Sequence, residues 1–239
     1  MMSLKVGFEN LPAPIVSHLR DAMTMRHAQP HVYHVTELIR CLRLAWYRRT
    51  YPEQVKWSVK SLLNIYRGSI YDARWTPLFK VHQKNYRAKR RGVTITGTLD
   101  FVYEGILYDL KMPTVITYKK IYGAGQGYRR QVQAYLSLAH ANGELLDVHR
   151  ARVLMVAGDV VVEEVAEWTD MLDSWPWPRA FLLDSALNSG DPSLLVGPEE
   201  SWECREEFCP ADVDFRIKCA YQGRDLESPL RVSMGELPY

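Results

Sequence analysis

The chain has 239 residues, of which 47% are hydrophobic and 24% are charged, and its formal net charge is +2. This length and composition predict one sizeable core, or one domain with a small appendage. The small net charge excludes a general basic field, so local patches must supply any contact with nucleic acid. No apolar run reaches 18 residues and no signal peptide precedes the first predicted element, so we expect a soluble, cytoplasmic protein without structural disulfides.

Hydrophobic periodicity, turn residues and capping residues predict the elements of the chain. In chain order they are an amphipathic segment at 15–25, a helix at 36–50 capped by Thr36, a mostly helical stretch at 55–80, a basic strand at 81–91, a hairpin at 94–103 and 106–110, a helix at 128–141, a hairpin at 149–157 and 160–165, an interrupted helix at 168–188 and a linker at 190–200. This order predicts an α/β fold in which helices pack on a mixed sheet.

The first hairpin carries the residues on which the functional prediction depends. Glu104-Gly105 fits a two-residue loop, which fixes the register and sets Asp100 directly opposite Asp109. Lys111 lies two residues past Asp109, so strand alternation places it on the same face. We expect this face to open to a cleft.

Two carboxylates and an ammonium group on one patch have a chemical meaning. Like charges this close repel each other unless a cation lies between them, and Mg²⁺ or Mn²⁺ takes oxygen ligands of this kind. Such a metal supports phosphodiester hydrolysis, in which Lys111 would orient the attacking water. The alternative is a cross-strand cluster of salt bridges on a solvated face.

Basic runs are the local patches that could contact nucleic acid, although a solvated face is the alternative for each of them. They lie at residues 86–91, at 40–49 and between Lys119 and Arg130.

The four cysteines are Cys41, Cys204, Cys209 and Cys219. They contain no Cys-x-x-Cys pair, which zinc ribbons and fingers usually show. Four thiolates can hold a [4Fe–4S] or a [2Fe–2S] cluster. The alternatives are a buried core cysteine at Cys41 with three incidental ones, or a structural zinc site.

Read together, these features resemble the CRISPR-associated RecB-like exonuclease family, the fourth numbered family of Cas proteins. The matching motifs are Cys41 in an N-terminal helix, Gly97-Thr98-Leu99-Asp100, Asp109-Leu110-Lys111, Gln131-x-x-x-Tyr135, and the C-terminal Cys204, Cys209 and Cys219. The resemblance implies a PD-(D/E)xK, restriction-endonuclease-like core at residues 1–190, and an iron–sulfur segment with a tail at 191–239.

The resemblance also implies a function and a set of roles. It predicts a metal-dependent exonuclease on single-stranded DNA, typically 5′→3′, that processes spacer DNA beside the CRISPR integrase. Asp100 and Asp109 would bind Mn²⁺ or Mg²⁺, with the Leu110 carbonyl as a further ligand. Gln131 would place the scissile phosphate or the attacking water, and Tyr135 would pack beside it.

One position departs from the family pattern. The family has a metal-ligating His in the helix before the hairpin, where this chain has Tyr71 followed by Asp72. Tyrosine is protonated at neutral pH and is a poor ligand for Mg²⁺. Asp72 or water would replace it, and His34 and His82 are other candidates. This departure favours the alternative function, a DNA-binding adaptation subunit with weak or vestigial nuclease activity.

Overall fold

The computed structural model describes residues 11–22, 28–113, 125–157, 159–165, 167–195, 197–198, 204, 209 and 211. Within these residues the fold is mixed α/β. The α-helices are α1 (Ala13–Ala22), α2 (Val35–Leu38), α3 (Leu42–Thr50), α4 (Val59–Trp75), α5 (Gln126–Ala141) and α6 (Pro176–Ser189). The strands are β1 (Val32–His34), β2 (Val81–His82), β3 (Asn85–Arg90), β4 (Val93–Thr98), β5 (Phe101–Tyr103), β6 (Ile106–Lys111), β7 (Arg150–Val156) and β8 (Val160–Val165).

The strands form two mixed sheets rather than one. The three-stranded sheet has the order β1-β4-β3, and the five-stranded sheet has the order β2-β5-β6-β7-β8. Strand β6 pairs antiparallel with β5 and parallel with β7, so it lies in the middle of the larger sheet. Helix α5 packs against strands of both sheets and therefore joins them into one core.

The predicted continuous strand at 94–103 is wrong, because it divides between the two sheets. β4 ends at Thr98 and β5 begins at Phe101. Leu99 between them is fully buried, and its amide donates to the Lys84 carbonyl at 3.1 Å. Because Leu99 is buried in the core, the alternation of side chains along β4 stops there. Asp100 therefore continues neither face of that strand.

The predicted turn and register of this hairpin are confirmed. Phe101 lies opposite Tyr108 and Tyr103 opposite Ile106. Glu104 has a φ of 49° and Gly105 a φ of 71°, as a two-residue turn with positive φ at both central positions requires.

The predicted helix at 36–50 is also wrong, because α2 and α3 are separate helices. The N-cap of α2 is His34 rather than Thr36, and the Glu37 carboxylate accepts a hydrogen bond from the His34 amide at 2.8 Å. The break frees carbonyl groups at the end of α2, and the guanidinium of Arg179 on α6 donates to two of them, at Leu38 and Arg40. A tertiary contact therefore satisfies a helix end that local sequence would have continued.

Other boundaries differ by smaller amounts. The helical stretch predicted at 55–80 is α4 followed by a 3₁₀ turn at Thr76–Leu78, and the strand predicted at 81–91 is divided into β2 and β3. The helix predicted at 168–188 begins only at Pro176, where a proline fits the first turn. The helix predicted at 128–141 begins two residues earlier, and Gly143 follows it with the expected positive φ of 72°. In the described ranges, no helix is long and apolar enough to cross a membrane.

Candidate active site

Asp109 and Lys111 lie on one face of the central strand β6. Asp109 is fully buried, and the Lys111 ammonium lies 2.8 Å from each of its carboxylate oxygens. The ammonium donates a hydrogen bond to Oδ1, whereas Oδ2 has no hydrogen-bond partner in the described part of the chain. Oδ2 therefore meets the ammonium as an ion pair without accepting a hydrogen bond, and its lone pairs are available to a second cation.

Asp100 lies beside this pair, at the break between the two sheets. Its Oδ2 accepts a hydrogen bond from the backbone amide of Leu110 at 2.6 Å, which holds the side chain against β6. Burial raises the pKa of Asp109, and the nearby carboxylate of Asp100 adds to this while Lys111 opposes it. The charges of the two carboxylates thus act on each other, although the paired ladder of the hairpin ends at Phe101 and Tyr108.

Asp72 brings a third carboxylate to the site from helix α4. Burial and the charge of Asp100 raise the pKa of Asp72 to about 6, and the Lys111 ammonium acts in the opposite direction. The ring of the neighbouring Tyr71 instead packs edge-on against Trp75, with 5.0 Å between the ring centroids. Asp72, rather than Tyr71, is therefore the α4 side chain that acts on the carboxylates.

Helix α5 contributes the other two predicted site residues. The Gln131 amide donates to the Tyr135 hydroxyl at 2.7 Å, and both side chains are buried. Burial, followed by the charge of Asp109, raises the pKa of Tyr135, so this residue remains a neutral phenol. Its ring lies against Gly97 of β4, which has no room for a larger side chain.

Sequence reasoning missed Tyr128 as a member of this site. The Lys111 ammonium lies 5.2 Å from the centroid of the Tyr128 ring, within the range of a cation–π contact. Tyr128 precedes Gln131 by three residues and Tyr135 by seven, so helical periodicity could have placed it on the same face.

The charge of Lys111 is fixed by its neighbours. Burial acts to lower the pKa of this ammonium, but Asp109 and Asp100 outweigh it and raise the pKa. Lys111 therefore remains protonated and able to donate hydrogen bonds.

The donor set fits a hard divalent cation. Carboxylate oxygens at Asp109 and Asp100 are the ligands that Mg²⁺ prefers, and it usually retains several waters beside one or two carboxylates. Within the described residues, no group of three or more His, Cys, Asp or Glu side chains is close enough to hold a metal. His34 caps α2, and the ring of His82 contacts the Phe79 carbonyl. Each of these two alternative ligands therefore has a partner other than the carboxylates of the site.

The described cysteines lie elsewhere in the fold. Cys41 is buried at the N-cap of α3, Cys209 is buried, and Cys204 is half-buried. Cys219 lies outside the described residues.

The pKa of Arg48 responds to the charges of two of these cysteines, and its guanidinium lies 4.5 Å from the centroid of the Trp57 ring. Burial and the charge of Arg40 lower the pKa of Arg48 to about 10, and Cys209 and Cys41 both act in the opposite direction. The Arg48 Nε is buried without a hydrogen-bond partner in the described ranges. An anionic iron–sulfur cluster held by these thiolates would fit a buried cation with a spare N–H donor.

The segment after α6 is docked on α3, so the linker predicted at 190–200 is not free of the core. Leu195 is buried, and its carbonyl accepts a hydrogen bond from the Arg43 Nε at 3.0 Å. Ala211 is buried as well.

Comparisons with known proteins show the fold. No protein-family model matches the chain. No curated protein matches it either. Among solved structures, the crystal structure of SSO0001 is similar over 90% of this chain and 99% of its own, with 16% identity and a TM-score of 0.57. A candidate exonuclease from Eubacterium rectale covers 95% of this chain and 97% of its own, with 14% identity and a TM-score of 0.35. The similarity to SSO0001 shows a shared fold. The TM-score of the second structure is below 0.5, so nothing is concluded from that similarity.

Proposed function

We propose that this protein is a divalent-metal-dependent deoxyribonuclease with a PD-(D/E)xK core, acting as an exonuclease on single-stranded DNA. The observation that carries the proposal is the buried Asp109–Lys111 ion pair, which lies beside the carboxylate of Asp100 and in which Oδ2 of Asp109 accepts no hydrogen bond from the described residues. The 5′→3′ direction, the processing of spacer DNA and the CRISPR integrase as partner rest on the family resemblance. So does the division into a nuclease domain at 1–190 and an iron–sulfur segment at 191–239.

The residues divide the proposed chemistry between them. Asp100 and Asp109 would hold Mn²⁺ or Mg²⁺, with the Leu110 carbonyl and water as further oxygen donors, and Asp72 would act on the site through its charge. The bound cation would supply Lewis acidity toward a phosphoryl oxygen. Lys111, protonated by its setting, orients the attacking water and offsets negative charge that develops on the phosphate.

The α5 side chains position the substrate. Gln131 would place the scissile phosphate or the attacking water, and its hydrogen bond to Tyr135 fixes the orientation of the amide. The ring of Tyr128, also on α5, lies next to the Lys111 ammonium.

The proposed second cofactor is an iron–sulfur cluster on Cys41, Cys204, Cys209 and Cys219. Arg48 supports this assignment, because its Nε is buried and its pKa responds to the charges of Cys41 and Cys209. The cluster would have a structural role and would join α3 to the C-terminal segment. Iron and sulfide analysis with a visible absorption spectrum of anaerobically purified protein tests it, and zinc in place of iron would contradict it.

A second candidate function is a DNA-binding adaptation subunit with weak or vestigial nuclease activity. Two observations favour it. Tyr71 packs against Trp75, at the position where the resembling family has a metal-binding His. In addition, the described residues contain no group of three metal-binding side chains.

Cleavage of end-labelled single-stranded DNA under single-turnover conditions tests the main proposal. We expect Mn²⁺-dependent cleavage that Asp109→Asn reduces at least about 100-fold, since the substitution removes a charge at the reacting centre. Asp21→Asn, an exposed change on α1, is the matched control and should cleave like the parent. Equal rates for parent and Asp109→Asn would contradict this site, and DNA binding without cleavage by the parent would favour the second candidate.

A further inference from the structure

The β3–β4 hairpin carries a basic patch that the proposed active site does not use. Residues 84–98 contain five Lys or Arg side chains and no Asp or Glu. Two of the five are paired, Lys84 with Glu144 and Arg90 with Asp173. Within the described part of the chain no carboxylate pairs with the other three, which are Arg87, Lys89 and Arg91.

Strand alternation places these cations on the face away from the core. Tyr86 is buried and Ala88 is half-buried, whereas Arg87 and Lys89, which alternate with them, are exposed. Across the ladder, Arg87 lies opposite Thr96 and Lys89 opposite Thr94. Thr96 is buried, so the exposed groups on this face are the two cations, which are about 6.6 Å apart along the strand at about 3.3 Å per residue.

The tip of the hairpin adds aromatic rings to this charge. A pocket of about 250 Å³ opens there, lined by Arg90, Arg91, Asp173, Trp177, Pro178 and Phe181. The Arg91 guanidinium lies 5.7 Å from the Phe181 ring centroid, and the rings of Trp177 and Phe181 are stacked with centroids 5.6 Å apart. Positive charge with aromatic rings is the combination that surfaces for single strands use.

We propose that this hairpin binds single-stranded DNA outside the catalytic residues, through Arg87 and Lys89 on its outer face and through the pocket between its tip and helix α6. Arg87 and Lys89 contact successive phosphates, and the pocket receives one unstacked base. A duplex keeps its bases stacked and offers none to the pocket, so the aromatic wall favours a single strand. The inference deepens the proposed function and rests on it for the chemical class of the substrate.

The position of the hairpin separates binding from chemistry. Thr94, which pairs with Lys89, precedes Asp100 by six residues, so the two lie up to about 20 Å apart at about 3.3 Å per residue. Substitutions at the hairpin should therefore weaken DNA binding and leave the single-turnover rate at saturating DNA unchanged.

Fluorescence anisotropy with labelled dT30, without divalent metal, tests the proposal on the full-length protein. Arg87→Ala with Lys89→Ala should weaken binding at least about tenfold near 0.1 M salt. The slope of log affinity against log salt should fall by about 1.4, because two contacts contribute about 0.7 each on a single strand. Arg20→Ala with Lys56→Ala removes the same charge from exposed positions on other elements and should bind within twofold of the parent.

A second variant tests the pocket. Phe181→Leu keeps an apolar side chain and removes the ring, so it should bind dT30 several-fold more weakly but bind an abasic 30-mer like the parent. A loss that is equal for both probes would mean that no base enters the pocket.

Three results would overturn the proposal. They are parent-like binding by the Arg87/Lys89 variant, an equal loss in the Arg20/Lys56 control, and a stronger effect on a 30-bp duplex than on dT30. The outcome is independent of cleavage, because binding is measured without metal. A parent that never cleaves DNA, together with a hairpin variant that loses binding, would reject the nuclease proposal and retain this one.

Discussion

At the scale of single residues, the ionised carboxylate of Asp72 is unfavourable in the metal-free protein. Its pKa of about 6 lies above the ordinary value of 3.8, first through burial and then through Asp100. A raised carboxylate pKa means that the folded state binds the proton more tightly than the unfolded state does. The stabilisation that this proton brings is therefore complete below about pH 4. It is lost as the pH rises through 6.

Asp72→Asn should therefore raise the melting temperature of the metal-free protein by roughly 2 °C at pH 8 and have little effect at pH 4.5. Added Mn²⁺ should cancel this gain, because the cation then neutralises the carboxylates of the parent. Thermal melts from pH 4.5 to 8, with and without Mn²⁺, measure both effects, and Asp21→Asn serves as control. A gain at pH 4.5 equal to that at pH 8 would contradict the electrostatic cause.

Gly97 is the residue that makes room for Tyr135. A Cβ at this position would lie 2.7 Å from Cδ1 and 2.8 Å from Cε1 of the Tyr135 ring. Gly97→Ala should therefore displace the ring, disturb its bond to Gln131, lower the free energy of unfolding by about 1–3 kcal/mol and slow cleavage.

Urea unfolding with single-turnover assays measures both consequences of the Gly97 change. Gly68→Ala is the matched control, since a Cβ there meets nothing within 4 Å and the position is inside helix α4. That control should stabilise the protein by about 0.5–1 kcal/mol and leave cleavage unchanged. Parent-like stability and rate for Gly97→Ala would show that Tyr135 can shift without consequence.

At the scale of elements, helix α6 is bound to the N-terminal elements by polar contacts. Asp184 of α6 accepts hydrogen bonds from the Tyr33 hydroxyl on β1 and lies within 2.7 Å of the His31 ring nitrogen. Trp46 of α3 donates to the Ala186 carbonyl at 3.2 Å. These contacts connect residues more than 100 positions apart. They therefore fix how helix α6 packs on the N-terminal elements and do not stabilise a local turn.

Tyr33→Phe removes one of these contacts while keeping the ring in place. It should lower the free energy of unfolding by about 1–2 kcal/mol, because a buried hydrogen bond to a carboxylate is lost. Tyr51→Phe is the control, since the Tyr51 side chain is more exposed and contacts its neighbours through the ring. Chemical denaturation of both variants decides the matter, and an equal effect for the two would reject the role of Asp184.

At the scale of the whole molecule, the first helices and the end of the chain are joined in one region. Arg43 donates a hydrogen bond to the Leu195 carbonyl, and the charges of Cys41 and Cys209 both act on Arg48. A cluster bound by Cys41 and the C-terminal cysteines would close a loop around the α/β core, which by analogy with a disulfide would stabilise the fold by up to roughly 5 kcal/mol.

Cys41→Ala should therefore lose the brown chromophore and become sensitive to protease first after Gly190, whereas the hairpin of β5 and β6 should survive longer. Limited proteolysis with mass mapping, together with iron analysis, measures this. Arg43→Gln is a useful comparison, because it removes the bond to Leu195 and leaves the thiol in place. Full iron content and an intact C-terminal segment in Cys41→Ala would identify Cys41 as a core residue instead of a ligand.

Local sequence determined the parts of this protein that depend on neighbours along the chain. Turn chemistry at Glu104-Gly105 predicted the register of β5 and β6, and the period of two predicted that Asp109 and Lys111 share a face. Helical spacing likewise explains why Gln131 and Tyr135, four residues apart, contact each other. Each of these relations spans only a few residues, so backbone geometry alone fixes it.

The tertiary structure decided the rest. The break at Leu99, the division of α2 from α3 and the complete burial of Asp109 follow from packing against β7, α5 and α6, which are distant in sequence. The same packing brings Asp72 and Tyr128 to Lys111. No spacing along the chain encodes such contacts, because burial and the electrostatic field are set by whichever elements close over a strand once the core has formed.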